Sequence, residues 1–378
     1  MRKRILICNL IVLIWVFVIF SNTYAAKANS RPDLIAESAM LMDFTTGKIL
    51  YEKNPDLRRA PASTTKILTA IVALEHGDLR QIIAATPSAC KIGGSSIWLS
   101  QGETHSLEDM LYGILLSSGN DASASVAENL AGSEKKFAEW MTEKAHAIGA
   151  TSSSFKNSSG MPETGHYTTA HDLAVITRYA LNNPTFSTMV KTKKKVITWP
   201  GKEYDRAMVN HNKLLWRYQY ADGVKTGYTR EAGKCLVASA TRNGHRMIAV
   251  VLNSKQMYED TEKMFDYGFE NYQLLNIVST QEKVGEVSVA LGVKEEVPVL
   301  PNRTLTLLLP KGAEDNLKVN LELQKKLEAP VERLQQVGEL TVQLGEKLID
   351  TVPVVTAVEV PKKGLFQRFW DWVRKIIG

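Results

Sequence analysis

The sequence predicts a layered α/β (α+β) domain, in which an antiparallel sheet is covered by helices, followed by a small all-β domain and a terminal amphipathic helix. Strand patterns lie at both ends of residues 34–272, and helical patterns lie between them, as expected for a sheet covered by helices. Beyond residue 274 the runs become short and rich in β-branched residues, with Gly and Pro between them. A chain of 378 residues is long enough for about two domains.

Residues 1–25 have the pattern of a secretory signal peptide. Basic residues occupy positions 2–4, an apolar run over 5–20 is interrupted only by Asn9, and small residues follow at Ala25 and Ala26. The apolar run of 16 residues is shorter than the roughly 20 that a membrane-spanning helix needs. An uncleaved anchor is the alternative. With either a cleaved signal peptide or an uncleaved anchor, the rest of the chain is expected to be exported.

Residues 26–272 form the predicted main domain. Alternating patterns predict antiparallel hairpins from the segments 38–51, 234–241 and 246–253. Asn243-Gly244 joins the last two segments and favours a two-residue hairpin turn. The periodicity of apolar residues predicts helices over 64–75, 107–116, 122–130, 134–148, 170–182 and 260–272.

Residues 273–360 form the predicted β-rich domain. Its strand-like runs cover 284–290, 297–300, 304–309, 317–323, 339–344 and 352–360. This part of the chain holds few candidate catalytic side chains, so its expected role is that of a spacer or an interaction module.

Residues 361–378 predict an amphipathic helix. At about 100° per residue, the apolar side chains between Leu365 and Ile377 fall within one arc of about 160°, and the polar ones fill a separate arc of about 120°. A short helix with aromatic bulk and cationic flanks is typical of an interfacial membrane anchor. The alternative is a terminal helix packed on its own domain.

The formal net charge of +6 is concentrated at the two ends of the chain. Positions 2–4 carry three basic residues, and 362–378 carry five against the single acid Asp371, so the rest of the chain is close to neutral. A nucleic-acid-binding protein carries its basic patch on the folded body. The charge pattern therefore argues against nucleic acid as a partner.

Ser63 and Lys66 lie at the start of a predicted buried helix, because the apolar run 67–74 follows them. Residues three apart on a helix are neighbours, so the Lys66 amine can reach the Ser63 hydroxyl. If burial or a second cation lowers its pKa, Lys66 can act as a general base toward Ser63. The spacing alone is weak, since Ser-x-x-Lys occurs four times in the chain.

Ser118-Gly-Asn120 is the only Ser-x-Asn in the chain and lies between two predicted helices. A hydroxyl and an amide on such a loop can relay a proton to a leaving nitrogen and hold a substrate amide. The alternative is a helix cap, because Ser, Asn and Asp are favoured at helix starts.

Lys225-Thr226-Gly227 is also unique and precedes the strand predicted from residue 234. Gly227 lets another chain approach the backbone closely, and Lys225 with Thr226 offers a cation and a hydroxyl to a substrate carboxylate. The alternative is a turn with a solvated lysine.

Taken together, Ser-x-x-Lys, Ser-x-Asn and Lys-Thr-Gly in this order, 55 and 107 residues apart, form the motif set of penicillin-recognising serine enzymes. The chain resembles the low-molecular-mass penicillin-binding proteins, which are serine-type D-Ala-D-Ala carboxypeptidases. The resemblance extends to Gly93-Gly-Ser-Ser96, Asp222-Gly-Val224, the β-rich domain and the terminal helix. It implies a penicillin-binding/β-lactamase-like transpeptidase fold.

The resemblance implies a role for each motif residue. Ser63 would be the nucleophile, Lys66 its base and Ser118 a proton donor to the leaving amine. The substrate-binding residues would be Asn120, Lys225, Thr226, Gly227 and Tyr228, with the backbone N–H groups of Ser63 and Tyr228 forming an oxyanion hole.

The implied substrate is a peptidoglycan stem peptide ending in D-Ala-D-Ala, and β-lactams are implied as covalent inhibitors. The implied location is the outer face of the cytoplasmic membrane, with the C-terminal helix on the membrane surface. No cofactor is implied. The histidines contain no His-Glu-x-x-His pattern, so no metal site is expected.

Two other functions stay open at this point. A class A-type β-lactamase shares the motifs but needs a glutamate-activated water, and Glu163 is the only glutamate between positions 151 and 172. A catalytically dead membrane-tethered scaffold is the other. Cys90 and Cys235 are compatible with one disulfide or with two free thiols.

Overall fold

The structure is a computed structural model that describes residues 30–369 and Val373. The predicted signal peptide and most of the predicted terminal helix lie outside the described residues. The strands are β1 (Ser38–Asp43), β2 (Ile49–Lys53), β3 (Ile82–Ala84), β4 (Thr104–Ser106), β5 (Lys194–Ile197), β6 (Arg206–Val209), β7 (Ala221–Thr229), β8 (Gly233–Arg242), β9 (His245–Leu252), β10 (Tyr272–Val278), β11 (Gly285–Ala290), β12 (Glu296–Pro301), β13 (Leu305–Pro310), β14 (Leu317–Leu323), β15 (Lys326–Glu328), β16 (Gln336–Leu344) and β17 (Lys347–Thr356). The helices are α1 (Lys66–His76), α2 (Leu107–Leu115), α3 (Asn120–Ala131), α4 (Glu134–Ala147), α5 (Ala170–Leu181), α6 (Pro184–Lys191), α7 (Leu214–Arg217) and α8 (Met257–Asn271).

A five-stranded antiparallel sheet in the order β2-β1-β9-β8-β7 organises the main domain. The predicted hairpin turn at Asn243-Gly244 is confirmed, because both residues have positive φ and Arg242 pairs with His245 across it. The α+β prediction is confirmed as well. The sheet places β7 at one edge, where only one of its sides is paired.

Both faces of this sheet are covered, as the alternation along β8 and β9 requires. Cys235, Val237 and Val250 point into a core shared with the helices α1 to α6. Leu236 and Val251, one position along, point into a second core beneath α8. Because both faces are buried, both strands are almost continuously apolar. The Lys-Thr-Gly motif lies on the edge strand β7, which packs against the turn that contains Ser63.

Several elements of the main domain were not predicted. They are the edge strand β7, the short pairs β3–β4 and β5–β6, and the helices α6 and α7. The start of α6 carried a readable signal, since Asn183 accepts from Thr185 and Phe186 and Pro184 is the first helical residue. Apart from β7, which has nine residues, the other elements have four residues or fewer, too short for a periodicity to be visible.

The β-rich region contains a six-stranded sheet in the order β14-β16-β17-β12-β11-β15. All its pairs are antiparallel except β11 with β15. Its core is dominated by valines, including Val297, Val299 and Val342. An unpredicted strand, β10, pairs with β13 and brings Leu274 and Leu308 against the core beneath α8, which ties this region to the main domain.

Residues 365–369 are helical, and Leu365 and Phe366 are 84% and 75% exposed. Within residues 30–369, none of the helices has the length and apolar content needed to cross a membrane.

Candidate active site

Ser63 and Lys66 meet at the start of α1. A 3₁₀ turn over Ala62–Thr65 leads into the helix, and it places the Lys66 Nζ 3.1 Å from the Ser63 Oγ. Nζ also lies 2.6 Å from the Asn120 Oδ1 and 2.6 Å from the backbone oxygen of Ser159. Lys66 is fully buried, whereas Ser63 is half-buried.

The surroundings of Lys66 favour its neutral form. Burial, followed by the charge of Lys225, lowers its pKa well below the ordinary lysine value, against the opposing effects of Asp121 and Glu134. A neutral amine has two N–H groups and one lone pair. Because Asn120 Oδ1 and the Ser159 carbonyl accept those two N–H groups, the lone pair remains for the Ser63 hydroxyl. Lys66 can therefore accept the Ser63 proton.

Ser118 and Asn120 stand between α2 and α3. Ser118 is buried, with a φ of 61°. The Asn120 side chain does not cap its own helix, whose cap residue is Gly119, so the capping alternative is wrong for Asn120. Its Nδ2 donates to the backbone oxygen of Gly93 at 2.7 Å, while its Oδ1 accepts from Lys66. Asn120 thus fixes the amine of Lys66.

Lys225, Thr226 and Gly227 lie on the edge strand β7, so the turn alternative is wrong. The Lys225 side chain is buried, and its Nζ donates to the backbone oxygen of Thr226 at 3.0 Å. Burial lowers the pKa of Lys225 to about 7. Gly227 passes close to the 3₁₀ turn that contains Ser63. A Cβ added at position 227 would lie 2.9 Å from the Ser63 backbone nitrogen.

An open cavity of about 430 Å³ joins the three motifs. Ser63, Ser118, Thr226, Gly227 and Tyr228 line it, together with residues that were not predicted: Ser95, His211, Lys234, Met257 and Tyr258. Lys66, Asn120 and Lys225 lie behind this surface. A second cavity, of about 600 Å³, is lined by residues of α4 and of the segment 155–163 and contains none of the motif residues.

Two of the unpredicted residues have a signal that could have found them. Ser95 belongs to the Gly93-Gly-Ser-Ser96 run. Lys234 pairs with Tyr228 across β7 and β8, so a strand assignment for the Lys-Thr-Gly segment would have placed Lys234 beside the site. His211 follows β6 and has no such signal. Partial burial, followed by the charge of Lys225, lowers its pKa.

Glu163 and His166 have structural contacts. Glu163 is exposed and its Oε2 accepts from Asn157 at 3.0 Å. His166 is buried against Thr65, 3.0 Å away, and burial lowers its pKa to about 4. In residues 30–369, no three His, Cys, Asp or Glu side chains are grouped so that they could hold a metal ion. Cys90 and Cys235 are both free thiols.

Two family models match the chain. The model of the D-alanyl-D-alanine carboxypeptidases, peptidase family S11, matches residues 25–256. A model of the C-terminal domain of penicillin-binding protein 5 matches residues 272–362.

Relatives and solved structures agree with these models. The D-alanyl-D-alanine carboxypeptidase DacF of Bacillus subtilis is 32% identical over 98% of this chain and 99% of its own. DacD of Escherichia coli is 31% identical over the same shares. The crystal structure of penicillin binding protein 5 from Haemophilus influenzae superposes with a TM-score of 0.71 at 29% identity, covering 88% of this chain and 99% of that one.

The predicted fold is thereby confirmed as the mixed α/β penicillin-binding fold with an all-β C-terminal domain. With a family model covering more than half of the chain and full-length relatives above 30% identity, the chain belongs to the D-alanyl-D-alanine carboxypeptidases of peptidase family S11.

Proposed function

We propose that this carboxypeptidase removes the terminal D-alanine of peptidoglycan stem pentapeptides through an acyl-enzyme on Ser63. The observation that carries the proposal is the environment of Lys66. Its amine lies 3.1 Å from the Ser63 Oγ, and its two N–H groups have acceptors on Asn120 and Ser159. A lysine without that burial and without a neighbouring cation would stay protonated and could not serve as the base.

In the proposed acylation, Ser63 Oγ attacks the carbonyl carbon of the penultimate D-alanine and its proton passes to the Lys66 Nζ. The C–N bond then breaks, Ser118 delivers its proton to the leaving nitrogen and regains one from protonated Lys66, and D-alanine departs. A water molecule then attacks the remaining ester and gives a proton to neutral Lys66. The bond to the Ser63 oxygen breaks, that oxygen takes the proton from Lys66, and the shortened peptide leaves with a new carboxyl group. Removal of the terminal residue leaves a stem that can no longer act as a donor in cross-linking.

The oxyanion of the tetrahedral intermediate is assigned to the backbone N–H groups of Ser63 and Tyr228. The close approach of Gly227 to the Ser63 nitrogen supports this assignment, because it brings the end of β7 against the 3₁₀ turn that contains Ser63. Removing one donor of such a hole costs about 3–4 kcal/mol of transition-state stabilisation.

Lys225 and Thr226 are proposed to bind the terminal carboxylate of the substrate. Thr226 lines the cavity, and Lys225 supplies a cation directly behind it. Asn120 is proposed to position both Lys66 and the scissile peptide. Gly227 is proposed to keep the approach to β7 open. Tyr228, which is 68% exposed, is proposed to border the entrance of the cavity.

Labelling with a fluorescent penicillin tests the nucleophile. A single stoichiometric adduct on the wild type, absent from a folded Ser63→Ala variant, is the expected result by intact mass and gel fluorescence. No adduct on the folded wild type would overturn the acyl-enzyme mechanism and favour the scaffold alternative.

The lifetime of that adduct separates a carboxypeptidase from a β-lactamase. We expect it to persist for many minutes, because the one candidate glutamate, Glu163, is exposed and bonded to Asn157. Deacylation within seconds would favour a β-lactamase. Release of D-alanine from diacetyl-Lys-D-Ala-D-Ala confirms the peptidase reaction directly.

The proposed location is the outer face of the cytoplasmic membrane. It is supported by the signal-like sequence 1–25, the exposed apolar residues Leu365 and Phe366, and the amphipathic pattern of 361–378. The proposed organisation is a signal peptide over 1–25, a catalytic domain over 26–272, a β-rich domain over 273–360 and an anchoring helix over 361–378.

Co-sedimentation with anionic phosphatidylglycerol vesicles tests the anchor. Residues 26–378 are expected to sediment with the vesicles, and residues 26–360 to remain in the supernatant with unchanged penicillin labelling. Equal sedimentation of the two proteins would show that the helix is not the anchor.

A further inference from the structure

A second groove continues the catalytic cavity. It has a volume of about 480 Å³ and shares Ser95 and His211 with the cavity that contains Ser63. Its other lining residues include Trp98, Trp199 and several small polar side chains. A ligand longer than the two reacting residues can therefore occupy both spaces at once.

Trp98 is held in an unfavourable, exposed position. Its side chain is 71% exposed and its φ is 62°, a backbone region that bulky residues rarely adopt. The buried carboxylate of Asp121 accepts from the backbone nitrogens of Ile97 and Leu99 and from the Ser96 hydroxyl. Strain maintained in this way is concentrated at functional sites, and an exposed indole is a common binding surface.

Trp199 is the second indole of the groove and packs against a residue of a buried ion pair. The Arg206 guanidinium lies 4.5 Å from the Trp199 ring centroid and 2.7 Å from the Glu103 carboxylate. Arg206 also donates to the backbone oxygen of Trp98 at 3.3 Å, which connects the two walls. Because Arg206 and Glu103 neutralise each other, this arginine offers no free charge to an anionic ligand.

These features describe a neutral site with indole walls and hydroxyl groups from Ser95, Ser96 and Ser117. An indole ring packs against the apolar C–H face of a sugar, and nearby hydroxyl and backbone groups bond its polar substituents. We propose that this groove binds a saccharide unit of the glycan strand that carries the stem peptide. The proposal rests on the carboxypeptidase function above, because it extends the substrate of that site.

The primary test compares two substrates with the same pentapeptide, one free and one attached to the disaccharide of peptidoglycan. The wild type is expected to show a kcat/KM roughly three- to tenfold higher for the disaccharide substrate. Trp98→Ala should remove that preference while leaving kcat/KM for the free pentapeptide within about twofold. Trp216→Ala is the matched control, since Trp216 is 47% exposed and lines neither space.

Equal kcat/KM for the two substrates in the wild type would overturn the proposal. An equal loss for both substrates in folded Trp98→Ala would also overturn it, because the groove would then serve the peptide or the fold. Trp98→Phe, which keeps an aromatic face, is expected to retain most of the preference.

A binding measurement separates this proposal from the proposed function. The free disaccharide, titrated into folded Ser63→Ala protein, is expected to change tryptophan fluorescence in a saturable way, and Trp98→Ala should abolish the change. No saturable change up to about 10 mM would overturn the groove assignment. Absence of turnover with either substrate would instead count against the carboxypeptidase reaction. The fluorescence titration with the free disaccharide would then test the groove assignment independently.

Discussion

Gly227 and Ser63 approach each other so closely that a Cβ at position 227 would lie 2.9 Å from the Ser63 backbone nitrogen. The same Cβ would lie 3.1 Å from the Cβ of Ala62. Neither atom belongs to the end of a flexible side chain, so the edge strand β7 and the turn over Ala62–Thr65 would have to separate. This contact is what makes a glycine necessary in the Lys-Thr-Gly motif of this chain.

Gly227→Ala is therefore expected to slow acylation by a penicillin about tenfold or more, because the strand carrying the proposed oxyanion donor moves away from Ser63. The rate of adduct formation measures this effect. Gly285→Ala in the β-rich domain is the control. A Cβ added there would lie 3.0 Å from a methyl group of Leu323, which is the end of a flexible side chain. Wild-type acylation by a correctly folded Gly227→Ala protein would contradict the assigned contact.

The pH dependence of kcat/KM should show two limbs. Activity is expected to rise with pH as Lys66, whose pKa is lowered by burial and by Lys225, loses its proton and becomes a base. It should then fall, by up to about tenfold per pH unit, above about pH 7, where free Lys225 loses the positive charge that the substrate carboxylate requires.

A substrate whose terminal carboxylate is replaced by a carboxamide separates the two limbs. It keeps the requirement for a neutral Lys66 and loses the requirement for a charged Lys225. Only the acidic limb should remain in its profile of kcat/KM against pH. An unchanged alkaline limb would show that Lys225 does not act through the carboxylate.

His166 should make the folded state less stable in acid. Burial lowers its pKa from 6.5 to about 4, so the unfolded chain binds this proton first, and stability rises with pH between these two values. The expected contribution is about 3 kcal/mol, lost as the pH falls from 6.5 toward 4. Urea unfolding of wild type and His166→Gln at several pH values measures it. Parallel curves for the two proteins would contradict the prediction.

Asp121→Ala should destabilise the loop that carries Trp98. The change leaves two backbone N–H groups and the Ser96 hydroxyl without their acceptor in a buried position, at a cost of about 3 kcal/mol or more. Urea unfolding gives the loss, and slower penicillin labelling is expected beside it. Glu139→Ala, which removes an exposed ion pair with Lys136, should change stability little. Equal stabilities of the two variants would contradict the assigned role of Asp121.

Much of the scaffold was predictable because its helices and turns are determined by residues close together in the sequence. The helices α2 to α5 follow from apolar periodicity, supported at Ser106, Ser133 and Thr169 by cap hydrogen bonds. The β8–β9 turn follows from Asn243-Gly244.

The partners of the site residues were not predictable in the same way. Gly93 and Ser159 act through backbone carbonyls, which every residue possesses, so no side-chain pattern marks them. Asn120 stays a predicted substrate-binding residue, and its contacts with Lys66 and the Gly93 carbonyl were not predicted. The groove depends on contacts across about 100 residues, since Arg206 bonds the Trp98 backbone oxygen and the Glu103 carboxylate. Trp199 then packs on the same Arg206.

The sequence by itself determined the family, the order of the three motifs and the chemistry that Ser63 and Lys66 can perform, because residue types and short spacings carry that information. Only the tertiary structure decided that the pKa of Lys66 is lowered enough for the proposed role as a base. Its low pKa arises from complete burial and from the charge of Lys225, which the fold brings from a position 159 residues away. Desolvation and charge proximity act through space, so they exist only after the chain has folded.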